Sequence, residues 1–95
     1  MATNLYYIEV TDTYGGEANY SWVTRHIIKA KSMRGAVQRF SRMSGMSWHC
    51  VGDYGDSKRY DSRSGATCYF INGIDADELS NLRQMNLETN EAGEC

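Results

Sequence analysis

From Asp12 to Val23 the chain reads Asp12-Thr-Tyr-Gly-Gly-Glu-Ala-Asn-Tyr-Ser-Trp-Val23. A two-glycine turn is flanked by an acid on each side, Asp12 and Glu17, and runs into Tyr20 and Trp22. Glycines let another backbone come close, and aromatic side chains offer a large contact area at low entropic cost. Tyr14 lies beside the glycines and is expected to be exposed, whereas Trp22 is expected in the core. The spacing is not that of a phosphate loop: there is no Gly-x-Gly-x-x-Gly and no Gly-Lys-Ser/Thr. The chemistry this segment points to is holding a partner.

Side chains of metal-ligand or nucleophile type are present but scattered: His26, His49, Cys50 and Cys68, with Cys95 as the last residue. They match no zinc spacing, having no Cys-x-x-Cys and no histidine pair at helical spacing. His49 and Cys50 are neighbours in a strand-like stretch, so their side chains point to opposite faces and do not form a Cys–His pair. Cys50 and Cys68 are expected as buried free thiols. Asp53, Asp56 and Asp61 alternate with Lys58, Arg59 and Arg63 around a glycine turn, the pattern of a solvated loop of mixed charge. No complete catalytic or metal motif is present; the expectation is a non-enzymatic protein with no cofactor and no metal.

Charge is segregated although the net value is only −2. Residues 18–52 hold Arg25, Lys29, Lys31, Arg34, Arg39 and Arg42 and no acid, whereas residues 72–95 hold Asp75, Asp77, Glu78, Glu88, Glu91 and Glu94 against Arg83. At ~100° per residue, Arg34, Gln38 and Arg42 fall within about 80° on one helix face, with Arg39 just beyond. Arginines favour bidentate recognition of carboxylate or phosphate. The residues expected to meet a partner are therefore Tyr14, Glu17, Tyr20, Arg25, Lys29, Arg34, Arg39 and Arg42.

Those residues need a frame. Residues 5–11 alternate, with Tyr6, Ile8 and Val10 on one face, and predict a strand. Gly15-Gly16 predicts a hairpin turn. A second strand runs from about Ala18 to Ala30, long enough to need a bend or bulge. Its alternation puts Tyr20, Trp22, Thr24, His26 and Ile28 on one face. Ser32 is placed as an N-cap, Met33, Ala36, Val37, Phe40 and Met43 follow helical spacing, and Gly45 is placed to stop the helix. Ser47–Val51 reads as a third strand and Ala66–Ile71 as a central fourth, ended by Asn72-Gly73, with a short edge strand around Arg59-Tyr60 between them. Asp75 to Glu78 has capping-box spacing before a short helix reaching about Met85.

The expected fold class is α+β: an antiparallel sheet of about four strands in ββαββ order, one helix on one face and a short C-terminal helix. Residues 1–87 form a single domain and residues 88–95 a flexible acidic tail. Ninety-five residues are enough for one modest core. No apolar run approaches a membrane span of ~20 residues and no secretory signal is visible, so the expected compartment is cytoplasmic. Three cysteines without such a signal argue against a disulfide framework.

The stretch from Asp12 to Val23, with Arg25 after it, resembles a segment of small uncharacterised bacteriophage proteins. That resemblance implies a phage accessory protein acting in the host cytoplasm. By analogy of size and fold class with anti-CRISPR proteins, it implies steric inhibition of a host protein or ribonucleoprotein complex, with a CRISPR-type defence complex among the candidates. A small nucleic-acid-binding module using the basic helix face and exposed tyrosines is the alternative. An exposed edge strand would allow a homodimer as well as a monomer.

Overall fold

The computed structural model describes residues 4–84 and 90–92. Two helices and a sheet make an α+β fold. Its strands are β1 (Asn4–Tyr14), β2 (Glu17–Ala30), β3 (Trp48–Asp53), β4 (Ser57–Ser62), β5 (Thr67–Ile74) and β6 (Asn90–Ala92), and its helices are α1 (Met33–Ser44) and α2 (Ala76–Gln84). The sheet order is β3-β4-β5-β1-β2-β6. The first five strands pair antiparallel; β6 adds in parallel to the outer side of β2.

The β1–β2 hairpin turns on two residues. Gly15 and Gly16 both have positive φ, at 63° and 84°, as a type I′ turn demands. Helix α1 begins where Ser32 Oγ accepts the Gly35 N–H at 3.1 Å and ends where Gly45 takes a left-handed φ of 67°. Helix α2 is capped by Asp75, whose Oδ1 accepts the Glu78 N–H at 2.8 Å.

The apolar face of α1 packs on the sheet through Ala36 and Phe40, over Tyr6, Ile8 and Val10 of β1, Ile28 of β2, and Tyr69 and Ile71 of β5. Tyr69 is the hub. Its ring meets Phe40 and Trp48 edge-on, each at 4.8 Å, and stacks on Tyr60 at 5.1 Å. Each such pair adds ~0.5–1.5 kcal/mol beyond its buried area.

Several expectations are corrected. The sheet has five antiparallel strands rather than about four, because Ser57–Ser62 is a full strand. It is interior and not an edge, since β3 pairs along its outer side from Trp48↔Ser62 to Asp53↔Lys58. Asn72-Gly73 does not end β5: both residues stay in register with β1, as Tyr7↔Asn72 and Tyr6↔Gly73. Within the expected tail, Asn90–Ala92 pair with His26–Ile28; residues 88–89 and 93–95, and Met85, lie outside the described residues. Cys68 is buried as expected, but Cys50 is exposed on the edge strand β3. No described helix is long and apolar enough to cross a membrane.

Candidate functional site

The bend required in β2 is built by β1. Thr11 pairs with Val23 and Thr13 with Ala18, so Asn19, Tyr20, Ser21 and Trp22 stand against Asp12 alone. Asp12 fills the gap. Its Oδ1 accepts the Ser21 N–H at 2.9 Å, and its Oδ2 accepts Ser21 Oγ–H at 2.6 Å and Asn19 Nδ2–H at 2.9 Å. Thr11, buried next to it, donates its hydroxyl to the Trp22 carbonyl at 2.8 Å. Hydrogen bonds from Ser21 and Asn19 favour the ionised carboxylate and hold the Asp12 pKa down at about 2. The bulge puts Tyr20 at φ 58°, a conformation that L side chains rarely adopt.

The hairpin tip is tied back from the other side. Arg59 donates Nη2–H to the Gly16 carbonyl at 2.9 Å while its Nε–H bonds Asp61 at 2.9 Å, and Thr13 Oγ1 donates to the Gly65 carbonyl. Tyr14 is left 81% exposed, beside exposed Glu17.

From the last residue of the bulge onward, Trp22, Thr24 and His26 share one side of β2, as their alternation predicts. They do not all go into the core. With Val10, Thr67, Phe40, Met43, Ser44, Met46 and Trp48 they line a cleft of about 370 Å³ between the C-terminal end of α1 and the sheet. Trp22 is 45% exposed on its rim, a correction to its expected place in the core: it is the last of the four β2 residues that the bulge sets against Asp12 alone. Met43 and Met46, 49% and 39% exposed, complete the rim. Ser44 fixes one wall, its Oγ accepting Trp48 Nε1–H at 3.0 Å.

His26 lies in this cleft with its ring 5.2 Å from that of Phe40. Burial lowers its pKa, so the neutral imidazole is favoured. Among the described residues Nδ1 is buried with no hydrogen-bond partner. An unbonded buried acceptor is better tolerated than an orphaned N–H, which favours the proton on Nε2. No thiol lines the cleft, and no group of three His, Cys, Asp or Glu side chains gathers as a metal site among the described residues.

The predicted basic residues do not form one patch. Arg34 and Arg42 are exposed on the outer face of α1 with Gln38. Arg39 is half-buried, one helical turn before Met43 on the cleft side. No ion pair reaches these three among the described residues. Arg25 and Lys29 are elsewhere. They alternate with His26 and Ile28, so the sheet stands between them and α1. Arg25 faces Glu9 across the β1–β2 pair and joins the Tyr7–Glu9 cluster there, where Tyr7 OH donates to Glu9 Oε2 at 3.1 Å. Burial, with Glu9 beside it, pushes the Tyr7 hydroxyl up to about 12.

The mixed-charge residues of β3 and β4 pair among themselves, Lys58 with Asp53 at 3.8 Å and Arg59 with Asp61 at 2.9 Å. The cleft was missed by sequence reasoning because its walls come from five elements; the exposed Met43 and Met46 at the end of the helix were its nearest sequence signal.

Comparison with family models, curated proteins and solved structures returns no match.

Proposed function

We propose that this is a non-enzymatic binding protein that occludes an acidic surface of another macromolecule. Its contact surface is the outer and cleft-side flank of α1 (Arg34, Arg39, Arg42) together with Tyr20 and Trp22. One observation carries the reading: Arg39 and Arg42, without ion-pair partners among the described residues, stand within one helical turn of Met43, a large apolar side chain left in solvent. Aromatic and arginine side chains dominate binding energy at protein interfaces, and the arginines steer association. The resemblance of residues 12–23 to phage proteins supports a setting in which the partner is a host protein or ribonucleoprotein, a CRISPR-type defence complex among the candidates. Arg25 and Lys29 belong to the opposite face and are left out of this surface.

A capture experiment from host lysate tests it, with wild-type protein and the Arg34→Glu/Arg42→Glu variant, each with and without nuclease. The expected result is a partner retained after nuclease and lost by the double variant. Equal capture by both proteins would overturn the surface. Exposed aromatics beside arginines also suit stacking of unpaired bases. For that second reading the expected signs are capture abolished by nuclease and direct binding that weakens linearly with log salt.

A further inference from the structure

The cleft at the end of α1 has features that a simple gap in packing would lack. Single exposed apolar side chains are ordinary on any surface, but Trp22, Met43 and Met46 ring one hollow. Its volume, about 370 Å³, is at the small end of ligand sites and ample for an aromatic side chain. The walls are adaptable where they are methionine and fixed where Ser44 pins the Trp48 indole.

Polar features narrow the occupant further. No hydrogen bond reaches either nitrogen of His26 among the described residues, and Nδ1 is buried, so Nε2 is the nitrogen open to an incoming group. Thr24 and Thr67 add hydroxyls to the lining. Arg39 shares the cleft-side helix flank with Met43, and among the described residues no lining residue is acidic.

We propose that the cleft receives a single tyrosine side chain from an acidic segment of a partner protein. The ring fills the space between Trp22, Met43 and Trp48. The phenol oxygen accepts from His26 Nε2–H, and carboxylates flanking the tyrosine meet Arg39 and Arg42. This rests on the partner-binding reading above and names the chemistry of the partner. Arg39, without an ion-pair partner among the described residues, favours an acidic segment, the Trp22, Met43 and Trp48 walls favour an aromatic ring, and the imidazole favours a ring with a polar tip.

The test uses methyl-labelled methionine in the full chain, observed by NMR during titration with acetyl-Glu-Glu-Tyr-Glu-Glu-amide. Phe-centred and Ala-centred peptides and uridine monophosphate serve as comparisons. The expected result is movement of the Met43 and Met46 methyl signals, with Met33 still. The Tyr peptide should bind several-fold more tightly than the Phe peptide, in line with one net hydrogen bond, and the Ala peptide should leave both methyls unmoved. Arg39→Glu/Arg42→Glu should weaken the Tyr peptide at least tenfold while leaving p-cresol binding in place. Thr24→Trp, which fills the cleft from the sheet side, should block both probes.

Three results would overturn the proposal: no shift at Met43 and Met46 with millimolar Tyr peptide, equal effects of the Tyr and Ala peptides, or stronger shifts with uridine monophosphate. All three are read on wild-type protein, so a variant that fails to fold does not blunt them. Failure here with capture still lost in Arg34→Glu/Arg42→Glu would retire the tyrosine anchor alone. Unchanged capture in that variant would retire the underlying surface.

Discussion

Asp12 grips Ser21 through both carboxylate oxygens, at 2.9 Å to the backbone N–H and 2.6 Å to the hydroxyl, although they lie nine positions apart. This contact closes a bulge in which four residues of β2 oppose one of β1. It sets where Tyr20 and Trp22 emerge from the sheet.

The Asp12 carboxylate, held down at about 2 by Ser21 and Asn19, makes the bulge sensitive to acid. A depressed carboxylate contributes stability that is complete above its ordinary value near 4 and is lost as pH falls through about 2. Amide exchange at Ser21, corrected for intrinsic pH dependence, should therefore lose protection below about pH 4. Asp12→Ala should show that loss at neutral pH. Protection that stays flat down to pH 2 in the wild type would contradict this role.

Tyr20 carries left-handed backbone strain at φ 58° while its side chain is 53% exposed. Such a conformation costs an L-residue roughly 1–2 kcal/mol that glycine avoids, partly offset by glycine's greater freedom when unfolded. Tyr20→Gly should raise stability by about 0.5–1 kcal/mol in urea denaturation. Partner capture should weaken at the same time. A stability loss would mean that the ring contributes more than the strain removes.

Tyr69 is fully buried, and its hydroxyl has no hydrogen-bond partner among the described residues. Burial raises its pKa strongly. Removing an unpaired buried hydroxyl while keeping the ring is expected to be neutral or stabilising, by up to about 1 kcal/mol. Tyr69→Phe should show this as a higher urea midpoint with an unchanged slope. A drop of more than about 1 kcal/mol would reveal a partner for the hydroxyl.

His26 is neutral in the fold because burial lowers its pKa below the usual 6.5. The unfolded chain then binds more protons just below that value, so this group favours folding above about pH 6.5 and progressively less as pH falls beneath it. The thermal midpoint should decline as the buffer is taken from pH 7 to pH 5. In His26→Phe that part of the decline should disappear.

Local signals were legible in the chain. The Gly15-Gly16 turn, the Ser32 and Gly45 caps and the Tyr6/Ile8/Val10 alternation each depend on residues within a few positions of one another. Backbone conformation and side-chain period decide such features before any tertiary contact forms. What the chain could not reveal depends on partners far away in sequence. Whether Ser57–Ser62 is an edge depends on β3 lying outside it, and whether Asn72-Gly73 stops a strand depends on β1 being there to pair with it. Asp12 reaching Asn19 and Ser21 turns Trp22 from a core residue into the rim of a cleft. The parity of β2 puts Arg25 and Lys29 behind the sheet, away from the arginines of α1. The types of side chain this protein offers are set by the chain alone; pairing register, which changes a residue's face with every step, decided which of them stand together.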